Sequence, residues 1–352
     1  MLLYFIGHAF KYYTLKTEGT LWIKGFNTND YFGLGNTNTI SEFIQFGTDS
    51  DWTSNIAQGE TFTLTIKTNG TLWSWGRITA GAGGGSAAQT TNAPYTQPTQ
   101  LGTDTDWAKV VTSSSHTLAI KTNGTLWVWG NNKDGNFGIP TFPLNANSFA
   151  PLQIGTDTDW KEVYASRSSA GVSCAIKING TLTWGGNGIR IGYQNASLND
   201  SYRSPHQIGN NTWKTAAVGG GTGVPMFFGI KNDGTLWGWG TSGALTGGYY
   251  FGNGQATYSS EVPEQIGNAS NWEKIVTQYT TIGLKTNGTI WGWGRNDGYQ
   301  LGLGTGNNNN ILFPTQIGAD TDWQIIHLDT YQGGGGELLS IKNDTSIYHS
   351  RY

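Results

Sequence analysis

A short segment, Lys-Thr-Asn-Gly-Thr-Leu-Trp in its fullest form, recurs seven times along the chain and constrains its fold more than any other feature. It reads KTEGTLW at 16–22, KTNGTLW at 67–73 and 121–127, and KINGTLT at 177–183. It continues as KNDGTLW at 231–237, KTNGTIW at 285–291 and KNDTSIY at 342–348. The turn position falls at Gly19, Gly70, Gly124, Gly180, Gly234, Gly288 and Thr345, in steps of 51 to 57 residues. A fixed period of this size signals a solenoid, propeller or array. A chain of 352 residues would otherwise suggest two or three domains. The repeat points instead to one body, 1–352, with copies near 1–51, 52–106, 107–159, 160–212, 213–271, 272–322 and 323–352.

The third copy shows the unit. WAKVVT from Trp107 predicts a strand, a, and HTLAIK from His116 a second, b. TLWVWG from Thr125 predicts strand c, and LQIG from Leu152 a short strand d. Asn123-Gly124 between b and c is a strong hairpin signal, because a type I′ turn needs positive φ at both central residues. Trp127 and Trp129 project from one face of strand c, and Leu126 and Val128 from the other. A sheet apolar on both faces must lie between neighbours, and seven such sheets arranged radially satisfy this. The expected fold is therefore all-β, a seven-bladed propeller. All sixteen tryptophans fall at the start of strand a or in strand c, as inter-blade packing requires. The seven copies supply six d strands, so one blade is expected to be three-stranded or completed by another chain. Its open edge would invite strand addition.

Composition narrows the function classes. Charged residues make up 12% of the chain, the net charge is −3, and no Lys/Arg cluster exists. That argues against nucleic-acid partners and against a basic membrane-surface helix. No apolar run is long enough to span a bilayer as a helix. The start, MLLYFIGHAFKYYTLK, lacks a basic n-region and a cleavage site and aligns with the first strands of other copies, so it reads as fold and not as a signal peptide. The one cysteine, Cys174, permits no internal disulfide and reads as a buried strand residue.

The unit W-x-x-V…H-T-L-A-I-K-T-N-G-T-L-W-x-W-G-x-N…G-x-L-G…P-x-Q-I-G resembles the RCC1 repeat (regulator of chromosome condensation). The sixth copy matches most fully, from Trp272 through KTNGTIWGWGRNDGYQLGLG at 285–304 to PTQIG at 314–318. The resemblance covers almost the whole chain and implies a seven-bladed β-propeller, here in a bacterial or phage-like version. It implies little about function, because such propellers serve as exchange factors, inhibitors and adhesion modules. The copies depart from the pattern at Lys24-Gly25, at the shortened Leu182-Thr-Trp-Gly, at the fifth loop with Gly-Gly-Tyr-Tyr-Phe at 247–251, and after Tyr352. The founding member's exchange role leads one to expect a basic tail and a charged face, and neither is visible.

The copies also differ between the two ends of the blades. Turns b–c and d–a share one face and are uniform. The d–a turns carry Asp49/Asp51, Asp104/Asp106, Asp157/Asp159 and Asp320/Asp322. Asp-x-Asp suits calcium, but the better account is that the side chains stabilise tight turns. The c–d loops (27–42, 77–98, 131–151, 187–205, 241–263, 295–314) and the a–b inserts (167–173, 219–226, 330–337) share the other face and vary. Long loops on a rigid scaffold are where binding residues collect. The candidate partner-binding residues are Tyr31, Phe32, Tyr95, Phe142, Phe149, Tyr193, Tyr202, Tyr249, Tyr250, Phe251 and Tyr299, with about half of such rings expected to anchor their own loops.

No catalytic, cofactor or metal motif is present. The five histidines show no ligand spacing, with His116 structural in the family pattern, and the Gly runs do not precede helices. The expectation is a non-catalytic recognition propeller binding a protein partner or a cell-surface glycan, with no cofactor. Low charge with abundant Gly, Asn and Thr, and no export signal, suggests a phage virion or bacterial surface component. Alternatives are a lectin-like propeller and an RCC1-like exchange factor or enzyme inhibitor.

Overall fold

The computed structural model describes residues 2–8, 11–59, 61–77, 94–113, 116–132, 135–166, 172–187, 201–221, 224–242, 251–255, 258–304, 309–330, 336–344 and 346–349. Twenty-six strands run through them, with one 3-10 turn at Thr28–Asp30. Every sheet follows chain order, each strand pairing antiparallel with the next. The third blade shows the pattern: a is Trp107–Thr112, b is His116–Lys121, c is Leu126–Asn131 and d is Asn147–Gln153. Strand d begins well before the expected Leu152. Its interior Pro151 is tolerated because d is the outer edge strand and needs no outward N–H bond. Proline also sits inside four other d strands, at Pro98, Pro205, Pro263 and Pro314, which blunts those edges against stray pairing.

Four blades stand as separate four-stranded sheets and the last, Trp323 to His349, is three-stranded among the described residues. The fourth and fifth blades merge into one seven-stranded sheet through the long strand Ser201–Gly221. The junction there, Gly-Asn-Asn-Thr before Trp213, is one residue shorter than the Asp-bearing turns. The chain still turns here as the sequence led us to expect, with Gly209 at φ 56° and the register slipping between Gln207 and Thr212, although strand pairing resumes at once on both sides.

The innermost strands are neighbours in sequence around a ring: Leu2–His8, Trp52–Gln58, Trp107–Thr112, Trp160–Ala165, residues 213–221, Trp272–Thr277 and Trp323–Thr330. The last of these packs beside the first and closes the circle. The apolar core is divided among the interfaces. Trp107 and Trp129 lie with Leu64, Leu72 and Leu101 of the preceding blade. Leu118, Leu126 and Val128 meet Trp160 and Val163 of the following one. Strand c is thus apolar on both faces because both are interfaces. Each fully buried indole contributes on the order of 3 kcal/mol. At the closing seam, Tyr12 and Phe43 meet Ile325 and Ile341.

The recurrent hairpin is now explained residue by residue. Trp73 Nε1 donates to Thr71 Oγ1 (2.8 Å), and that hydroxyl donates to Asn69 Oδ1 (2.7 Å). The same relay runs through Asn123, Thr125 and Trp127, and through Asn287, Thr289 and Trp291. The turn glycine has a further task. Gly124 O accepts from Trp160 N of the next blade (3.1 Å), and Thr122 N donates to Asp106 O (2.7 Å). Equivalent bonds join Trp52 to Gly19, Trp107 to Gly70, Trp213 to Gly180, Trp272 to Gly234 and Trp323 to Gly288. The blades are therefore stapled by backbone on this face.

Candidate functional site

The stapled face carries a repeated charge cluster. Lys67 Nζ lies 2.7 Å from Asp49 Oδ2 and 2.9 Å from Asp51 Oδ1, with the rings of Trp52 and Trp73 at 4.5 and 4.6 Å. Lys121 holds Asp104 and Asp106 in the same way, Lys177 holds Asp157 and Asp159, and Lys342 holds Asp320 and Asp322. The aspartate pairs thus clamp an ammonium from the neighbouring hairpin, a role beyond turn formation that sequence reasoning missed. Burial opposes the charge on Lys67 and Lys121, but the two hydrogen-bonded carboxylates outweigh it and raise both pKa values. The fourth and fifth junctions, before Trp213 and Trp272, lack the pair. There Lys231 and Lys285 settle onto the second indole, 3.2 Å from Trp237 and 3.7 Å from Trp291, and burial lowers their pKa values. This face is thus largely committed to holding the ring together.

On the opposite face the c–d loops are built over a buried asparagine. Asn27 Oδ1 accepts from Phe32 N (2.8 Å), and its amide donates to Asn36 O (2.6 Å). Asn132 serves Phe137 N (2.9 Å) and Pro143 O (2.8 Å), and Asn296 serves Leu301 N (3.0 Å). The fifth residue after each asparagine is fully buried. Phe32 packs edge-on to Tyr13 with centroids 5.5 Å apart. Phe251 is likewise buried, against Phe228. Both were candidates for partner contact, and both are instead loop anchors. Phe32 occupies the leucine position of G-x-L-G, a spacing the sequence offered.

The other candidates divide. Phe142 packs on Phe137 at 5.0 Å, and Phe149 is half-buried in strand d of the third blade. Tyr95 leans on the core between the second and third blades, and burial raises its pKa. Tyr31 is half-buried with Lys11 Nζ 5.0 Å from its ring centroid. Tyr202 lies on the strand paired opposite Gly186. Tyr193, Tyr249 and Tyr250 lie outside the described residues. Tyr299 is open to solvent at 41% exposure.

Two more exposed rings escaped sequence reasoning, Phe26 at 50% and Phe313 at 61%. Phe26 opens the first c–d loop. Phe313 lies on the bare backbone of the fifth loop, where a Cβ on Gly254 would fall 2.3 Å from its ring. It falls within the 295–314 segment but was not singled out there, and the structure places it in the edge strand Ile311–Gln316. Burial pushes the Cys174 thiol well up, away from nucleophilic use. Among the described residues, no group of three His, Cys, Asp or Glu is placed to hold a metal ion, and no helix is long and apolar enough to cross a membrane.

Comparisons with known proteins agree with this architecture. The family model of the regulator of chromosome condensation (RCC1) repeat matches residues 107–136, and a second model of that repeat matches 287–327. The human E3 ubiquitin-protein ligase HERC2 is 24% identical over 240 residues, covering 66% of this chain and 5% of that protein. The mitochondrial RCC1 domain-containing protein RUG3 of Arabidopsis thaliana is 24% identical over 306 residues, covering 81% of this chain and 62% of its own. The chain therefore spans less than two thirds of these relatives. Yeast RCC1 (Prp20), solved bound to Kap60, superposes with a TM-score of 0.74 at 16% identity, covering 97% of this chain and 80% of that one. The chain carries RCC1 repeats and has the fold of the RCC1 propellers.

Proposed function

We propose that this RCC1-repeat propeller is a recognition protein that binds a protein partner through its c–d loop face. The observation that carries the proposal is the opposition of the two faces. One is closed by a repeated backbone staple and by lysines clamped in aspartate pairs. The other presents the solvent-exposed rings of Phe26 and Tyr299 at asparagine-anchored loops, with the exposed ring of Phe313 in the adjoining edge strand. Exposed aromatics on a fixed scaffold give large contact area at small entropic cost.

Protein binding is also what the structural relative offers, since yeast RCC1 has been solved with Kap60. An exchange-factor role for this chain rests on that likeness, which at 16% identity speaks to the fold. Neither the relatives nor the site geometry favours a virion setting, a cell-surface setting or a glycan ligand, and the proposed function includes none of them.

The test is cross-linking mass spectrometry of the tagged protein recovered from its native cells. Cross-links are expected to cluster on the c–d loops. The variant Phe26→Ala/Tyr299→Ala/Phe313→Ala should lose the captured partner, and Lys16→Ala on the opposite face should keep it. Loss with Lys16→Ala and retention with the triple variant would overturn the assignment.

A further inference from the structure

The innermost strands enclose a central cavity of about 340 Å³. Its lining is mostly aliphatic, with Val111, Ala217, Val276 and Leu328 among the walls, joined by Tyr164, His327 and one lysine, Lys274. Pockets of this size, apolar with a few placed polar groups, are the usual form of small-molecule sites.

Lys274 has an internal control. It is the third residue of its innermost strand, as Lys109 is of the third blade's. Lys109 pairs with Glu162, the third residue of the next innermost strand. The residue that follows Lys274 in the same way is Ile325, which offers no charge. The adjacent carboxylate, Glu273, is held by Lys214 at 2.8 Å. Asp329 lies toward the far end of the strand Trp323–Thr330, and strand Leu2–His8 contains no acidic residue. Among the described residues Lys274 makes no ion pair.

Lys274 is exposed to the solvent of the channel, and the partial desolvation by the channel wall lowers its pKa. A cation without a counter-ion beside an apolar chamber is a ready partner for a carboxylate, through a charge-assisted hydrogen bond. The seat is therefore a vacancy in the Lys109–Glu162 pattern with an apolar chamber beside it.

We propose that the channel binds a small monocarboxylate with an apolar body. Its carboxylate pairs with Lys274, in the place that Glu162 takes beside Lys109. Its hydrocarbon lies against Val111, Ala217, Val276 and Leu328. This site is independent of the loop face and of any protein partner.

The experiment is calorimetric titration of the full chain with hexanoate and with its uncharged counterpart hexanamide. One hexanoate per chain is expected, with hexanamide weaker by about tenfold or more, the scale of one lost charge-assisted contact. Lys274→Met keeps the aliphatic stem and should weaken hexanoate by about as much while leaving hexanamide unchanged. Ile325→Glu supplies the missing internal carboxylate and should weaken hexanoate without removing the lysine. Circular dichroism establishes that each variant is folded. Absence of saturable hexanoate binding to the unmodified protein overturns the proposal. So does equal affinity for acid and amide, or a folded Lys274→Met or Ile325→Glu variant that binds hexanoate unchanged.

Discussion

Replacing Gly124 by alanine should destabilise the ring far more than replacing Gly155, although both glycines have positive φ. Gly124 sits at φ 78° in the hairpin turn, and Gly155 at φ 61° in a d–a turn. For an L-residue the left-handed conformation alone costs about 1–2 kcal/mol. At Gly155 nothing lies within 4 Å of an added Cβ, so that strain is the whole effect. At Gly124 the Cβ would stand 2.0 Å from Thr158 O and 2.7 Å from its carbonyl carbon. Backbone on both sides must then part, breaking the bond from Trp160 N to Gly124 O. That bond adds roughly 1 kcal/mol, and the lost interface packing about as much again. Gly124→Ala should therefore cost about 3 kcal/mol or more, and Gly155→Ala about 1 kcal/mol. Urea melts followed by tryptophan fluorescence give the two midpoints. Amide exchange at Trp160 should accelerate in Gly124→Ala alone. Equal losses in the two variants, or unchanged protection at Trp160, would refute the claim that the hairpin glycine is an inter-blade device.

Ala269→Asp with Asn271→Asp installs the missing aspartate pair before Trp272. Lys285 should move off Trp291 and its pKa should rise, visible by NMR titration, with a stability gain under about 1 kcal/mol because the pair is largely exposed. His116 is fully buried and its pKa is pushed down to about 4 by desolvation. The unfolded chain takes up that proton near pH 6.5, so stability should fall as pH drops from about 6.5 to 4, by up to roughly 3 kcal/mol, and His116→Gln should flatten this window in acid-dependent urea melts. Phe32→Ala should cost about 3–5 kcal/mol in thermal or urea melts, whereas Phe313→Ala should stay within about 1 kcal/mol, which separates the buried anchor from the exposed ring.

The ring was legible because its signals are local. Asn123-Gly124 needs only its own turn geometry, and the same-face tryptophans need only the period of a strand. What stayed hidden depends on residues meeting across the chain. The partner of Asp104 is Lys121, in another hairpin arm, so the aspartates looked like turn formers. Phe32 read as an exposed loop aromatic because its burial requires Asn27 to fold the loop inward. The vacancy beside Lys274 emerges only when Lys109, Glu162 and Ile325 are placed at equivalent heights on neighbouring strands. Phe313 lay inside the 295–314 segment, but its exposure depends on its place in the edge strand Ile311–Gln316, which the loop argument did not resolve.

Each described blade draws its paired strands from one continuous run of chain, and successive blades are tied through main-chain atoms, Trp160 N to Gly124 O being the type. Such a tie is indifferent to most side chains on either side of it. A whole wedge could be exchanged for another of the same design, carrying its own rim loop with it, and the circle would still shut. The architecture is in that sense modular: new surfaces can be acquired by shuffling units, with no need to re-engineer the joints.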